Sequence, residues 1–214
     1  MPIPSRIQFP LLALLALACG GKHPTPAPVP GSPPPTQPIR PFLSAPFAGQ
    51  QIAVTPLTLV IALDTLGRVP PLSDRVATLA WADSIVGESF LARTPEVKWA
   101  LPPELRKIAR RAPTVAPDPD RMGQSLMRQQ SLEEVPDPLR GNLRSLLAML
   151  NGRFAMIPAA VTFVPEHSGL IRAEVALVLA DTRTGKVGWR TLTWGLGTTP
   201  SQALAAAMDT VLPV

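Results

Sequence analysis

The sequence predicts an α/β fold of the α+β type: one sandwich domain with a mixed sheet, a C-terminal antiparallel three-strand meander and helices packed on the sheet. Three observations predict it. Residues 153–164, 170–181 and 187–196 are strand-like runs joined by two short turn sequences, and connections that short make neighbouring strands antiparallel. Upstream, segments with apolar residues at helical spacing are mixed with short aliphatic runs. Hydrophobic residues make up 46% of the 214-residue chain, enough for one proper core.

The elements follow in order from a domain start near Phe47. Gln51 to Leu63 is rich in β-branched and aliphatic residues and reads as a first strand. Pro56 withholds a ladder donor, which suits an edge, a bulge or a strand end. Asp64 to Leu72, with Gly67, Pro70 and Pro71, reads as a loop. Ser73 or Asp74 caps a helix whose Val76, Leu79, Ala80, Ala82, Val86 and Phe90 share one face. Asp83 projects into that arc, at a rim or beside an arginine. Glu96 to Leu101 is a second strand, and Pro102-Pro103 opens a short helix over 104–111. Asp118-Pro119 signals a cap and first-turn proline for a short helix to about Arg128. Asp137-Pro138 repeats the signal before Leu139, Leu143, Leu146, Leu147 and Leu150, a core-facing stripe that Asn151-Gly152 ends.

In the meander, Ile171, Ala173, Val175, Leu177 and Leu179 mark the core face of the middle strand. Arg172 and Glu174 mark the other face near its start. Ala176, Val178 and Ala180 make its later part apolar on both sides, so the sheet is covered on both faces for part of its length. Thr199-Pro200-Ser201-Gln202 fits a capping box, and the helix runs on through Ala203 to Leu212. Trp189 and Trp194, five apart on one strand, point to opposite faces.

The N-terminus has a different character. Arg6 precedes an apolar stretch over residues 7–18 that is too short to span a bilayer as a stable helix, and small residues follow it. Residues 1–18 therefore read as a secretory signal. Leu15-Ala16-Leu17-Ala18-Cys19-Gly20 resembles the lipobox of bacterial lipoproteins, with Ala16 where a large aliphatic residue is usual. The resemblance implies cleavage before Cys19 and lipidation of its thiol and new amino group. An ordinary signal peptide cut nearby, leaving a free thiol, is the other reading. Gly20 rather than Asp after the cysteine favours, by the same resemblance, the outer membrane facing the periplasm. Ten of the 28 prolines fall between Pro24 and Pro46, so residues 19–46 read as a disordered proline-rich linker, an extended spacer of at most roughly 70 Å.

The chemical inventory is short. Cys19 is the single cysteine, so no internal disulfide can form. His23 and His167 are the only histidines, one in the linker and one in a turn sequence. No His/Cys metal cluster, Ser-His-Asp arrangement, nucleophile elbow or Walker loop follows from these residues. Gly195-Leu-Gly197 precedes a helix, but Pro200 replaces the third glycine of a dinucleotide fingerprint, and a strand end is the plainer reading. Catalytic, cofactor and metal residues are accordingly expected to be none. The formal net charge of +5 is scattered, which argues against nucleic acid as a partner. Only Arg106, Lys107, Arg110 and Arg111 cluster, as a solvated helix face or an anionic contact. Trp194, Arg106 and Arg110 are the candidate partner surface. Asp64, Asp118 and Glu133 are the carboxylates that a glycan or peptide hydrolase would use.

Ile52-Ala-Val-Thr-Pro-Leu57, Asn151-Gly-Arg-Phe-Ala-Met-Ile-Pro-Ala-Ala160 and Val178-Leu-Ala-Asp-Thr-Arg-Thr-Gly-Lys-Val-Gly-Trp189 resemble the first strand, the strand after a helix and the late hairpin of TolB N-terminal-like, LpoB-like and CsgG-like periplasmic domains. The resemblance covers about residues 50–214, and no catalytic residues carry over with it. It implies a non-enzymatic accessory domain, membrane-anchored through Cys19 and binding a protein partner in the cell envelope. An envelope hydrolase and a secretion-assembly subunit are the alternatives. No amphipathic strand pairs of the kind a pore needs are present.

Overall fold

A computed structural model describes Pro35 and residues 37–212. The signal segment, Cys19, His23 and the proline-rich run to residue 34 lie outside the described residues. The fold is an open six-stranded mixed sheet with four α-helices packed on it. β1 (Gln51–Val54) and β2 (Val60–Ala62) replace the single strand expected over 51–63. Pro56, with no N–H for a ladder, falls in the step between them. β3 is Lys98–Ala100, and β4 (Phe154–Pro165), β5 (Ile171–Asp181) and β6 (Val187–Gly197) form the expected antiparallel meander. β1 lies parallel between β3 and the first half of β4, while β2 runs parallel to its second half. The order is β3-β1-β4-β5-β6, which leaves β6 at an edge.

Period-two alternation sorts the strands into two faces. On the first, Met156, Phe163, Val175, Leu177 and Leu179 pack under α1 (Arg75–Arg93) and α4 (Pro200–Val211). On the second, Ala155, Ile157, Val178 and Ala180 pack under α2 (Pro102–Arg111) and α3 (Leu139–Ala148). The leucine stripe of α3 is buried as its spacing predicts. A bulge between Pro158 and Ala160 shifts the register of β4. From there Ala160 and Thr162 share the second face with Ala176 and Glu174.

Several local expectations change. Val76 and Ala80 are exposed; α1 buries the expected Ala82, Val86 and Phe90 together with Thr78, Asp83 and Gly87. At 100° per residue, Val76 and Ala80 stand roughly 80° and 120° round the helix from Val86. The helix expected to run to Arg128 is two short 3-10 turns, Pro119–Arg121 and Gln124–Arg128, because Gly123 between them sits at φ +82°, outside the helical region. Pro138, not Asp137, occupies the N-cap of α3 and no side chain caps it. Arg172 faces as expected but is buried, bonded to Glu166 and Glu174. Phe42, which the sequence reading leaves in the spacer, is 1% exposed and packs on Phe47, Trp99 and Trp189.

Gly195 and Gly197 lie on the first face directly beneath α4. A Cβ on Gly195 would stand 2.2 Å from Ala207 N, and one on Gly197 2.5 Å from Ala203 N. The glycines let helix and strand backbones approach closely. That is the reason for the Gly-Leu-Gly pattern, and Thr199 caps α4 through Gln202 N.

Candidate functional site

The helices of the second face cover only half of it. α2 and α3 sit over the early part of β4 and the late part of β5. Beyond the bulge, Ala160, Thr162, Glu174, Ala176 and Leu192 floor an open groove of about 720 Å³, with Ile61 of β2 at its far side. Small side chains at Ala160 and Ala176 keep the floor low.

The groove's walls are built by two segments that the strand pattern alone does not place. One is the stretch Met127–Gln130, held to the sheet by Arg190 of β6. The Arg190 guanidinium donates to the carbonyl oxygens of Met127 at 3.1 Å, Leu132 at 2.7 Å and Gln129. Burial pushes the Arg190 pKa down from its ordinary value. The other wall is the incoming chain at Gln37, Pro38 and Arg40. Arg40 N donates to Thr191 Oγ1, and Trp189 Nε1 donates to Pro41 O, so this segment crosses the outer edge of β6.

Trp189 and Trp194 point to opposite faces. Trp189 packs in the first core, whereas Trp194 is the cross-strand partner of Glu174 and shares the groove's face. Trp194 is half-buried there. Leu196, the next residue on that face, is 44% exposed.

Arg106 and Arg110 line a separate, smaller cavity of about 330 Å³ with Asp118 and Asp120. Arg110 is exposed. The Arg106 guanidinium is engaged internally: Nε to Asp120 Oδ2 at 2.9 Å, Nη2 to Asp120 Oδ1 at 2.7 Å and to Asp83 Oδ2 at 2.8 Å. The other Asp83 oxygen accepts from Leu57 N at 2.7 Å. One arginine thus ties α1, α2 and the β1–β2 step together. Burial raises the Asp83 pKa against the opposing pull of Leu57 N–H and Arg106. Arg106 is raised, chiefly by its bonds to Asp120. The sequence leaves Asp83 at a rim or beside an arginine; the fold shows the second, with Arg106 as the partner.

The hydrolase carboxylates fall in different places. Asp64 begins a 3-10 turn after β2. Asp118 caps a turn by accepting from Asp120 N and lies 3.6 Å from Arg121. Glu133 is exposed, its carbonyl accepting from Val187 N at the start of β6. His167 lies in the exposed β4–β5 turn. Among the described residues, no group of three or more His, Cys, Asp or Glu is placed to hold a metal ion. No helix among them is long and apolar enough to cross a membrane.

The groove's floor and walls were not singled out by sequence. The nearest signal is the two-sided apolar run through Ala176 and Val178, both of which pack with the second-face core and line the groove.

No family model and no curated protein matches the chain. Among solved structures, it is similar to the LpoB C-terminal domain from Salmonella enterica, at 12% identity and a TM-score of 0.36, over 71% of this chain and 84% of that one. It is similar to the PelC dodecamer from Paraburkholderia phytofirmans at 14% identity and 0.40, over 82% and 92%. Lipoprotein GNA1162 from Neisseria meningitidis gives 13% and 0.32, over 67% and 78%.

Proposed function

We propose that this chain is an envelope lipoprotein, fastened by a lipid at Cys19, whose domain docks a protein partner in the periplasm and carries no enzymatic activity of its own. The observation that carries the docking is the uncovered half of the second sheet face. A low floor holding Ala160, Ala176 and Leu192, a half-buried Trp194 beside it and a polar rim make the pattern of an interface rather than of a core. The anchor rests on the lipobox-like sequence ending at Cys19 and on the proline-rich spacer after it. Trp194 belongs to this surface. Arg110 stands apart from it, on α2, and Arg106 is a structural tie.

Two measurements test the reading. Intact mass of the membrane-extracted protein beside a Cys19→Ser variant should show acyl mass and membrane attachment in the first and neither in the second. A photo-crosslinking residue at Leu192 or Trp194 in living cells should give one discrete protein adduct that the same residue at exposed Val76 does not. No adduct at Leu192 and Trp194 would overturn docking at this face.

A further inference from the structure

We infer that the groove takes an acidic, extended peptide segment of the partner; this rests on the docking reading above and adds the partner's chemistry. The charge balance carries it. Arg40 and Arg128 are exposed on opposite walls and have no carboxylate partner among the described residues. Arg190 between them bonds only neutral carbonyl oxygens. The one acid of the groove, Glu174, is already bonded to Arg172 Nε at 2.9 Å. Arg172 is shared with Glu166, so that trio keeps one negative charge, and Arg40, Arg128 and Arg190 exceed it by two positive charges around the groove. A partner bearing carboxylates would complete them.

The shape selects an extended peptide. The groove crosses the sheet from Ile61 of β2 over β4 and β5 to Thr191 on β6, three strand spacings or roughly 14 Å, the length of about four extended residues. An extended segment laid across the strands places aliphatic residues on Ala176 and Leu192 and carboxylates at the walls. Gln129 and Gln130 add amide donors and acceptors at backbone reach. No aromatic side chain lines the groove as a platform for a sugar ring, and its polar walls suit an acyl chain poorly.

The test uses the full chain and labelled ten-residue probes of alternating Glu and Val or alternating Lys and Val, read by fluorescence anisotropy. The acidic probe should bind at least about tenfold tighter than the basic one, and less tightly as salt rises from about 0.05 M to about 0.5 M. In a double variant, Arg40→Glu with Arg128→Glu, the preference should reverse toward the basic probe. Reversal also shows that the variant is folded. Equal binding of the two probes, no binding of either, or an unchanged preference in the double variant would overturn the inference. So would binding to phosphatidylglycerol vesicles without binding to the acidic probe. A cellular crosslink at Leu192 that survives the double variant would sink the acidic partner and leave docking standing. Absence of the crosslink removes both.

Discussion

Two arginines of this domain look alike in sequence and do different work. Arg106 neutralises carboxylates, whereas Arg190 satisfies carbonyls. Replacing Arg190 by Met keeps much of its apolar stem but leaves three carbonyl oxygens without their donor. Leaving such groups unpaired costs about 1–3 kcal/mol. The loss should be local, read as faster hydrogen exchange over residues 127–132 with smaller changes in α4. The carboxylates near the other arginines respond to pH in opposite senses. Asp83 has a folded pKa raised above 3.8, so the folded state holds its proton more tightly than the unfolded chain. Its contribution is fully present below that value and is lost as pH rises through the folded pKa. Asp181, bonded to Arg153 Nη2 at 2.6 Å, is lowered below 3.8, first by that bond. Its contribution is present above 3.8 and is lost as pH falls through the folded pKa. Urea midpoints of the parent should therefore gain on Asp83→Asn as pH falls toward 3.8. They should lose ground to Asp181→Asn only below about 4.

At the scale of elements, the decisive contact is α4 on β6. Gly195→Ala places a methyl against helix backbone, which cannot swing aside as a side chain would. Overpacking of this kind costs about 3 kcal/mol, which for a domain of this size lowers the melting temperature by on the order of 10 °C. Gly188→Ala in the same strand, with 3.8 Å to its nearest neighbour, is the control and should change it little. Elements with strong periodic patterns were legible in advance. The leucines of α3 and the three runs of the meander state their own faces, because burial on one side imposes a period. The opposite cases are instructive. Gly195 and Gly197 read as a strand end, since a close backbone approach leaves no trace beyond the glycine itself. The sequence predicts one helix over 118–128 where two short turns form, since Gly123 takes a left-handed φ that neighbouring residues do not announce. The groove was illegible for a further reason: its floor comes from β2, β4, β5 and β6, and its walls from Arg40 and Arg128, which are far apart in sequence. Only the register of the sheet brings them together.

At the scale of the whole molecule, the question is where the folded domain begins. Phe42 N donates to Val211 O at 2.8 Å, and the Phe42 ring lies 5.6 Å from Phe47 and 5.4 Å from Trp189. The chain is therefore fixed to the core before Phe47, and Gln37, Pro38 and Arg40 of the same incoming segment line the groove. The boundary can be measured directly. A chain of residues 37–214 and one of residues 47–214 differ in the incoming wall and in Phe42, a ring of the size whose removal from a core costs about 3–5 kcal/mol. The shorter chain should unfold at a clearly lower urea midpoint, and a Phe42→Ala change in the longer one should reproduce most of that loss. If the two chains unfold at the same midpoint, Phe42 is a passenger and the domain begins where the proline run ends. If the shorter one alone loses stability, an Arg40→Ala change separates the parts: it leaves the midpoint near the parent's, because its main-chain bond to Thr191 remains, while removing one charge from the groove.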